Sequence, residues 1–175
     1  MPAADPGRPW AVLDIDGVLA DVRHRLPLLG RDRAGGGRSR PDWAAFFARA
    51  GDDPVLDEGF AVAQRLATEH EVVYLSGRPE RLRAVTLAWL DRHGLPAGRL
   101  LLRRDSDRRP ARVLKREVVR RLARERPVAV VVDDDADVAA ALRSAGFSVL
   151  LADWAAAEPE SAGRLREAQE EEGAT

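Results

Sequence analysis

The chain has 175 residues, 45% of them hydrophobic, which suits one domain with a real core and room for a small insertion. It contains no cysteine, which excludes a disulfide framework, a thiolate metal site and a thiol nucleophile. Its formal charge of -1 gives no global pull toward nucleic acid, and no apolar stretch approaches the roughly 20 residues of a membrane span. The opening MPAADPGRP lacks the charged and apolar regions of a signal peptide, so the expected location is the cytoplasm.

Residues 1–9 read as a flexible N-terminus. A short apolar run predicts a buried strand over 11–13, ending on Asp14-Ile15-Asp16-Gly17. A long gap follows, read as a small insertion over about 21–55. Within it, 31–40 is rich in Arg and Gly, and Pro41 starts a short helix over 42–50 with Trp43, Phe46 and Phe47 as its apolar face. A helix over 57–68 leads to a strand over 71–75, which ends in Ser76-Gly77-Arg78-Pro79. The helix expected over 80–93 places Leu82, Val85, Trp89 and Leu90 on one face, with Gly94 as its stop. Then come a strand over 100–102, a helix over 113–124 and a strand over 128–132 that ends in Asp133-Asp134-Asp135-Ala136-Asp137. A helix over 136–144 and a strand over 148–151 complete the pattern, and an acidic tail runs from 158. Strands alternating with helices predict an α/β fold: a parallel five-stranded sheet with helices on both faces. The domain is placed at 10–157.

The polar residues sit where such a sheet keeps its ligands, beyond the carboxyl ends of the strands. Asp14 and Asp16 follow the first strand, and Asp133 and Asp134 follow the fourth. If those strands are neighbours, the four carboxylates converge, and their repulsion calls for a cation. A hard divalent cation with oxygen ligands answers that need, and Mg²⁺ also pairs with phosphate. Gly17 lets the chain turn where a ligand must come close. Ser76, with the helix start expected after Pro79, reads as an anion site. Of the 28 basic residues one alone is a lysine, Lys115, and the other 27 are arginines. A site that keeps Lys against that bias needs a compact ammonium, here expected to face a solvated cleft. Arg103, Arg104, Arg108 and Arg109 form a basic run beside the site, suited to a polyanion.

The order D-x-D-G, Ser, Lys, D-D resembles the haloacid dehalogenase superfamily of phosphatases, over about Trp10 to Asp153. Val73–Arg78, Trp89-Leu90, Arg103–Arg109, Val113–Glu117 and Val131–Asp134 resemble the 3′-phosphatase domain of polynucleotide kinase-phosphatases. The resemblance implies a Rossmann-like fold with a small cap-like insertion after the first strand. It implies Asp14 as nucleophile, Asp16 as acid and then base, and Ser76 and Lys115 as the phosphoryl clamp. It further implies Gly17, Gly77 and Arg78 as substrate contacts, with Mg²⁺ on Asp14, Asp16 (through its backbone carbonyl), Asp133 and Asp134. Val18 departs from the family's frequent Thr, the run at 31–40 is longer than expected, and there is no G-x-x-x-x-G-K-[ST] loop for a kinase half. The implied partner is a phosphorylated substrate, with a nucleic-acid 3′ end as one reading. A small metabolite or nucleotide is a second, and a non-catalytic phosphate-binding regulator a third. Oligomeric state has no signature in the sequence.

Overall fold

The computed structural model describes residues 7–29 and 42–155. Five strands form one sheet: β1 (Trp10–Leu13), β2 (Glu71–Pro79), β3 (Gly98–Arg103), β4 (Val128–Asp133) and β5 (Val149–Leu151). Their order in space is β3-β2-β1-β4-β5, and every neighbouring pair is parallel. A parallel sheet must be covered on both faces, so its strands carry apolar side chains in both directions. Ala11 and Leu13 join one core with Val72, Tyr74, Ala63 and Trp89. Trp10 and Val12 join the other with Val73, Val119, Leu122 and Leu142. Helices α2 (Asp57–Ala67) and α3 (Arg83–Arg92) cover the first face, and α4 (Ala111–Glu125) and α5 (Ala136–Ser144) the second. The chain builds β2 and β3 on one side of β1, then crosses to β4 on the other. The crevice between β1 and β4 is therefore the point where strand order reverses.

The insertion after β1 has its own small core. A 3₁₀ turn (Leu26–Leu29), α1 (Trp43–Ala48) and a second 3₁₀ turn (Ala50–Asp52) bury Leu29, Phe46 and Phe47 against one another. Asp42 caps α1 by accepting from the Ala45 amide at 2.9 Å. Hydrogen bonds hold the insertion's limbs together and to the body. The Asp21 amide donates to the Pro54 carbonyl at 2.8 Å, Leu56 to Leu19 at 2.8 Å, and the Trp89 indole to the Asp53 carbonyl at 2.8 Å. The run at 31–40 and the tail from 158 lie outside the described residues.

Two expectations change. β2 does not stop at Leu75 but runs on through Ser76, Gly77 and Arg78 to Pro79. A 3₁₀ turn (Glu80–Leu82) follows, and α3 begins only at Arg83, so no α-helix starts behind Pro79 to bind an anion. The tighter turn shifts the helical phase. Val85 consequently stands 37% exposed, while Trp89 and Leu90 are buried and Leu82 packs on the insertion's core. Among the described residues no helix is long and apolar enough to cross a membrane.

Candidate active site

Strand register brings the first two carboxylates together. The Asp14 amide, just beyond β1, donates to the Val132 carbonyl of β4 at 2.9 Å, which sets Asp14 beside Asp133 at the strand ends. Asp14, Asp133 and Asp134 each offer a carboxylate oxygen, all within 4.8 Å of one another. Lys115, in the second turn of α4, reaches into this group. Its Nζ donates to Asp14 Oδ2 at 2.6 Å and to Asp133 Oδ2 at 2.7 Å. The lysine is not in a solvated cleft as expected, but 5% exposed, because α4 packs directly over the strand ends.

These contacts set the protonation states. Burial pushes Asp14 up to about 7, with Asp133 adding to the rise and Lys115 opposing it. Burial raises Asp134 well above the ordinary carboxylate range, and Asp14 and Asp133 raise it further. Burial would lower Lys115, but Asp133 and Asp14 outweigh it and hold the ammonium charged. One ammonium thus faces three carboxylates, two of them pushed toward the neutral form, and ionising all three would leave negative charge that the lysine alone does not balance. A hard divalent cation suits these oxygen donors. Asp135 takes no part: it caps α5 by accepting from the amides of Asp137 at 2.7 Å and Val138 at 3.3 Å. Gly17 is required by conformation and by room. Its φ is +79°, and a Cβ there would stand 2.1 Å from Asp134 Oδ2.

Asp16 stands apart from that trio. Its Oδ1 accepts from Arg78 Nη2 at 2.6 Å, Arg78 Nε at 3.0 Å and Arg25 Nη2 at 2.9 Å. Burial alone would raise Asp16, yet Arg78 and Arg25 together outweigh it and hold the carboxyl below its ordinary range. Both arginines also bind Asp53. Arg25 donates through Nε and Nη2 at 2.8 Å each, and Arg78 through Nη2 at 2.8 Å. His24 Nε2 lies 2.8 Å from the same carboxylate. Arg78 is fully buried, as is Arg25. The insertion supplies Arg25 from its outgoing limb and Asp53 from its return, and so reaches the acid position of the D-x-D pair. The Arg25 guanidinium still holds one buried donor without a hydrogen-bond partner, Nη1. Sequence reading missed Arg25, Asp53 and His24, which sit in irregular segments where 27 arginines and many acids give no contrast.

The remaining expected residues fall on the β2 and β3 ends. Ser76 is buried, and its Oγ accepts from the Arg78 amide at 3.2 Å, which leaves its hydroxyl proton available. The basic run divides by role. Arg103 is buried and donates to the carbonyls of Asp107 and Arg109 at 3.3 and 2.7 Å, so it shapes the loop. Arg109 pairs with Asp107 at 2.7 Å and also with Glu117. Arg104 and Arg108 remain exposed without an ion pair among the described residues. A larger cavity, of about 350 Å³, opens at the opposite end of the sheet beside Trp10, Glu71 and Gly98, far from the carboxylates.

The sequence model of a family described as "Polynucleotide kinase PNKP phosphatase domain" matches residues 9–154. The chain belongs to this phosphatase-domain family. It is similar in fold to a chain of the Pnkp1/Rnl/Hen1 RNA repair complex, at 22% identity and a TM-score of 0.64, over 85% of this chain and 44% of that one. A second structure of a Pnkp1/Rnl/Hen1 complex gives 20% identity and a TM-score of 0.64, over 86% of this chain and 50% of that one. This PNKP-type domain thus spans half or less of those chains. A haloacid dehalogenase-like hydrolase from Streptococcus pneumoniae is similar over 88% of this chain and 89% of its own, at 10% identity and a TM-score of 0.58. No curated protein sequence matches the chain significantly. The five-stranded parallel sheet with its helices is the haloacid dehalogenase fold.

Proposed function

We propose that this phosphatase domain hydrolyses phosphate monoesters at the 3′ ends of nucleic acid through an aspartyl-phosphate on Asp14. The observation that carries the reading is the separation of two carboxylates with opposite electrostatics. Asp14 sits with Asp133, Asp134 and Lys115, while Asp16 sits two residues on in a cage of arginines. A nucleophile and an acid need such different surroundings. The family match and the fold shared with RNA repair chains support nucleic acid as the substrate class. The domain limits of 10–157, with the insertion at 21–55, belong to the same proposal.

Asp14 attacks phosphorus, and the bond to the leaving oxygen breaks. Asp16 gives that oxygen its proton, and the alcohol departs. Asp16 then takes a proton from water, which attacks the phosphorus of the aspartyl-phosphate and frees inorganic phosphate and Asp14. Held low by Arg25 and Arg78, Asp16 is poised for the base step. A dianionic phosphoryl group beside the same arginines raises it for the acid step. Lys115 Nζ, the Ser76 hydroxyl and the unpartnered Arg25 Nη1 are donors for the phosphoryl oxygens. Mg²⁺ held by Asp14, Asp133 and Asp134 would offset the repulsion between a carboxylate nucleophile and an anionic phosphate.

The test is phosphate release from a 3′-phosphorylated oligonucleotide beside a panel of small phosphate esters. The expected result is release in Mg²⁺, its loss in EDTA, and the highest kcat/KM on the oligonucleotide. Undiminished release in EDTA overturns the metal assignment. A small ester outrunning the oligonucleotide overturns the substrate class in favour of a metabolite phosphatase.

A further inference from the structure

A groove beside the site is built from the insertion and the two outer strand ends. It encloses about 110 Å³ and begins at Gly77, between Ser76 and Arg78 on β2. One wall is aromatic. Trp43 lies stacked on Phe47, with ring centroids 5.5 Å apart and planes at 24°, and edge-on to Phe46 at 5.7 Å. Those contacts immobilise the indole, which stays only partly buried. The loop after β3 lines the same groove, and its charge is unbalanced. Asp105 is taken by Arg81 at 3.2 Å and Asp107 by Arg109 at 2.7 Å. The buried Arg103 pins the loop through two backbone carbonyls. Arg104 and Arg108 are thereby left as exposed cations lining the groove.

A held aromatic face and two exposed guanidiniums lining one groove suit a ligand with a flat π-surface and an anionic group on one scaffold. A nucleotide has both, whereas a simple sugar phosphate offers nothing for the indole. Bases stack on aromatic side chains without regard to sequence, and arginines track the backbone phosphates. We propose that this groove is the subsite for the 3′-terminal nucleoside of the substrate, with its base on Trp43 and its 5′ phosphate on Arg104 and Arg108. The proposal rests on the phosphatase reading above and deepens it: the smallest good substrate is a nucleoside 3′,5′-bisphosphate unit, not a bare phosphate ester.

Kinetics on three esters decide it: glycerol 2-phosphate, a nucleoside 3′-phosphate and a nucleoside 3′,5′-bisphosphate. Glycerol 2-phosphate is a secondary-alcohol ester like a ribose 3′-phosphate, but it has no base. In the wild type, kcat/KM should rise along that series. Trp43→Ala should erase the step from glycerol ester to nucleoside, by about 5- to 160-fold, the range that loss of one base–aromatic stack carries. Trp43→Phe should keep most of that step, which separates stacking from collapse of the insertion. Arg104→Gln with Arg108→Gln should erase the step from mono- to bisphosphate and weaken the fall of kcat/KM on the bisphosphate with added salt. Equal kcat/KM for all three esters in the wild type overturns the groove and leaves the phosphatase standing. A preference that survives both sets of substitutions overturns it as well. No hydrolysis of any ester overturns the groove and the phosphatase reading together.

Discussion

Replacing Lys115 with Met removes the one positive charge among three carboxylates, of which Asp14 and Asp133 are buried and Asp134 partly exposed, while keeping the length of the side chain. The ammonium makes two short charged hydrogen bonds, at 2.6 Å to Asp14 and 2.7 Å to Asp133, and it is 5% exposed. Removing one partner of a buried ion pair costs about 3–5 kcal/mol, because the opposite charge is left desolvated and uncompensated. For a domain of this size that is a fall in thermal midpoint of roughly 6–20 °C. The solvated cleft expected from the sequence would have let a change here spare stability; burial reverses that expectation. Lys115→Arg keeps the charge, so its cost is the overpacking of a wider group, about 1–3 kcal/mol. Its activity should still drop by about 10²-fold or more, since a misplacement near 1 Å suffices for that. The assay is thermal melting in EDTA and in Mg²⁺, alongside kcat/KM. Mg²⁺ should recover part of the Met variant's midpoint, as a second cation takes up the charge balance, without restoring turnover. A Lys115→Met protein that melts like the wild type in EDTA would refute the reasoning, for the carboxylates would then not need the ammonium.

Asp14 in the metal-free protein is raised from 3.8 to about 7, so the folded state binds a proton that the unfolded state releases. Stability in EDTA should therefore fall as pH rises from about 4 to about 7, by on the order of 4 kcal/mol, and saturating Mg²⁺ should flatten the curve; denaturant titrations across that window check it. Asp53→Asn leaves the buried Arg25 and Arg78 with Asp16 as their one remaining carboxylate. It should cost about 3–5 kcal/mol and move the alkaline limb of the pH–rate profile down, because Asp16 is then held even lower. Gly59→Ala, which stabilises an ordinary helix by about 1 kcal/mol, should here destabilise. The added Cβ would lie 1.8 Å from the Val18 carbonyl, which also receives the Trp154 indole at 2.9 Å, so the loop bearing Asp16 must move. Melting and kcat should fall together.

What could be read from the residues alone follows from burial and charge. Ala11–Leu13 and the run at 128–132 are apolar in both directions, so they had to be interior strands. Carboxylates at the ends of such strands stand out because stability gives no reason for them. Lys115 stood out through composition, one lysine among 28 basic residues. Arg25 and Asp53 were not readable in that way. They meet because the insertion folds back on itself and is pinned by Trp89 and Leu56, a tertiary fact with no periodic trace. The same folding explains the place of Arg78, which the resemblance implied as a substrate contact and which is shared by Asp16 and Asp53. The basic run at 103–109 could be seen as charge, but not which arginines remain free. That depends on Asp105, Asp107 and Glu117 taking up their neighbours.

The central claim is that Asp14 carries the phosphoryl group in turn, and trapping it is the most direct measurement. Enzyme would be mixed with a 3′-phosphorylated substrate in Mg²⁺, quenched in acid within the first turnover and reduced with borohydride. Peptide mass spectrometry would then locate the reduced residue. Homoserine is expected at position 14 in the wild type, more of it in Asp16→Asn when an aryl phosphate is the substrate, since a phenolate leaves without an acid while the intermediate is slow to meet water, and none in Asp14→Asn. Homoserine at another aspartate, or wild-type turnover by Asp14→Asn, would contradict it.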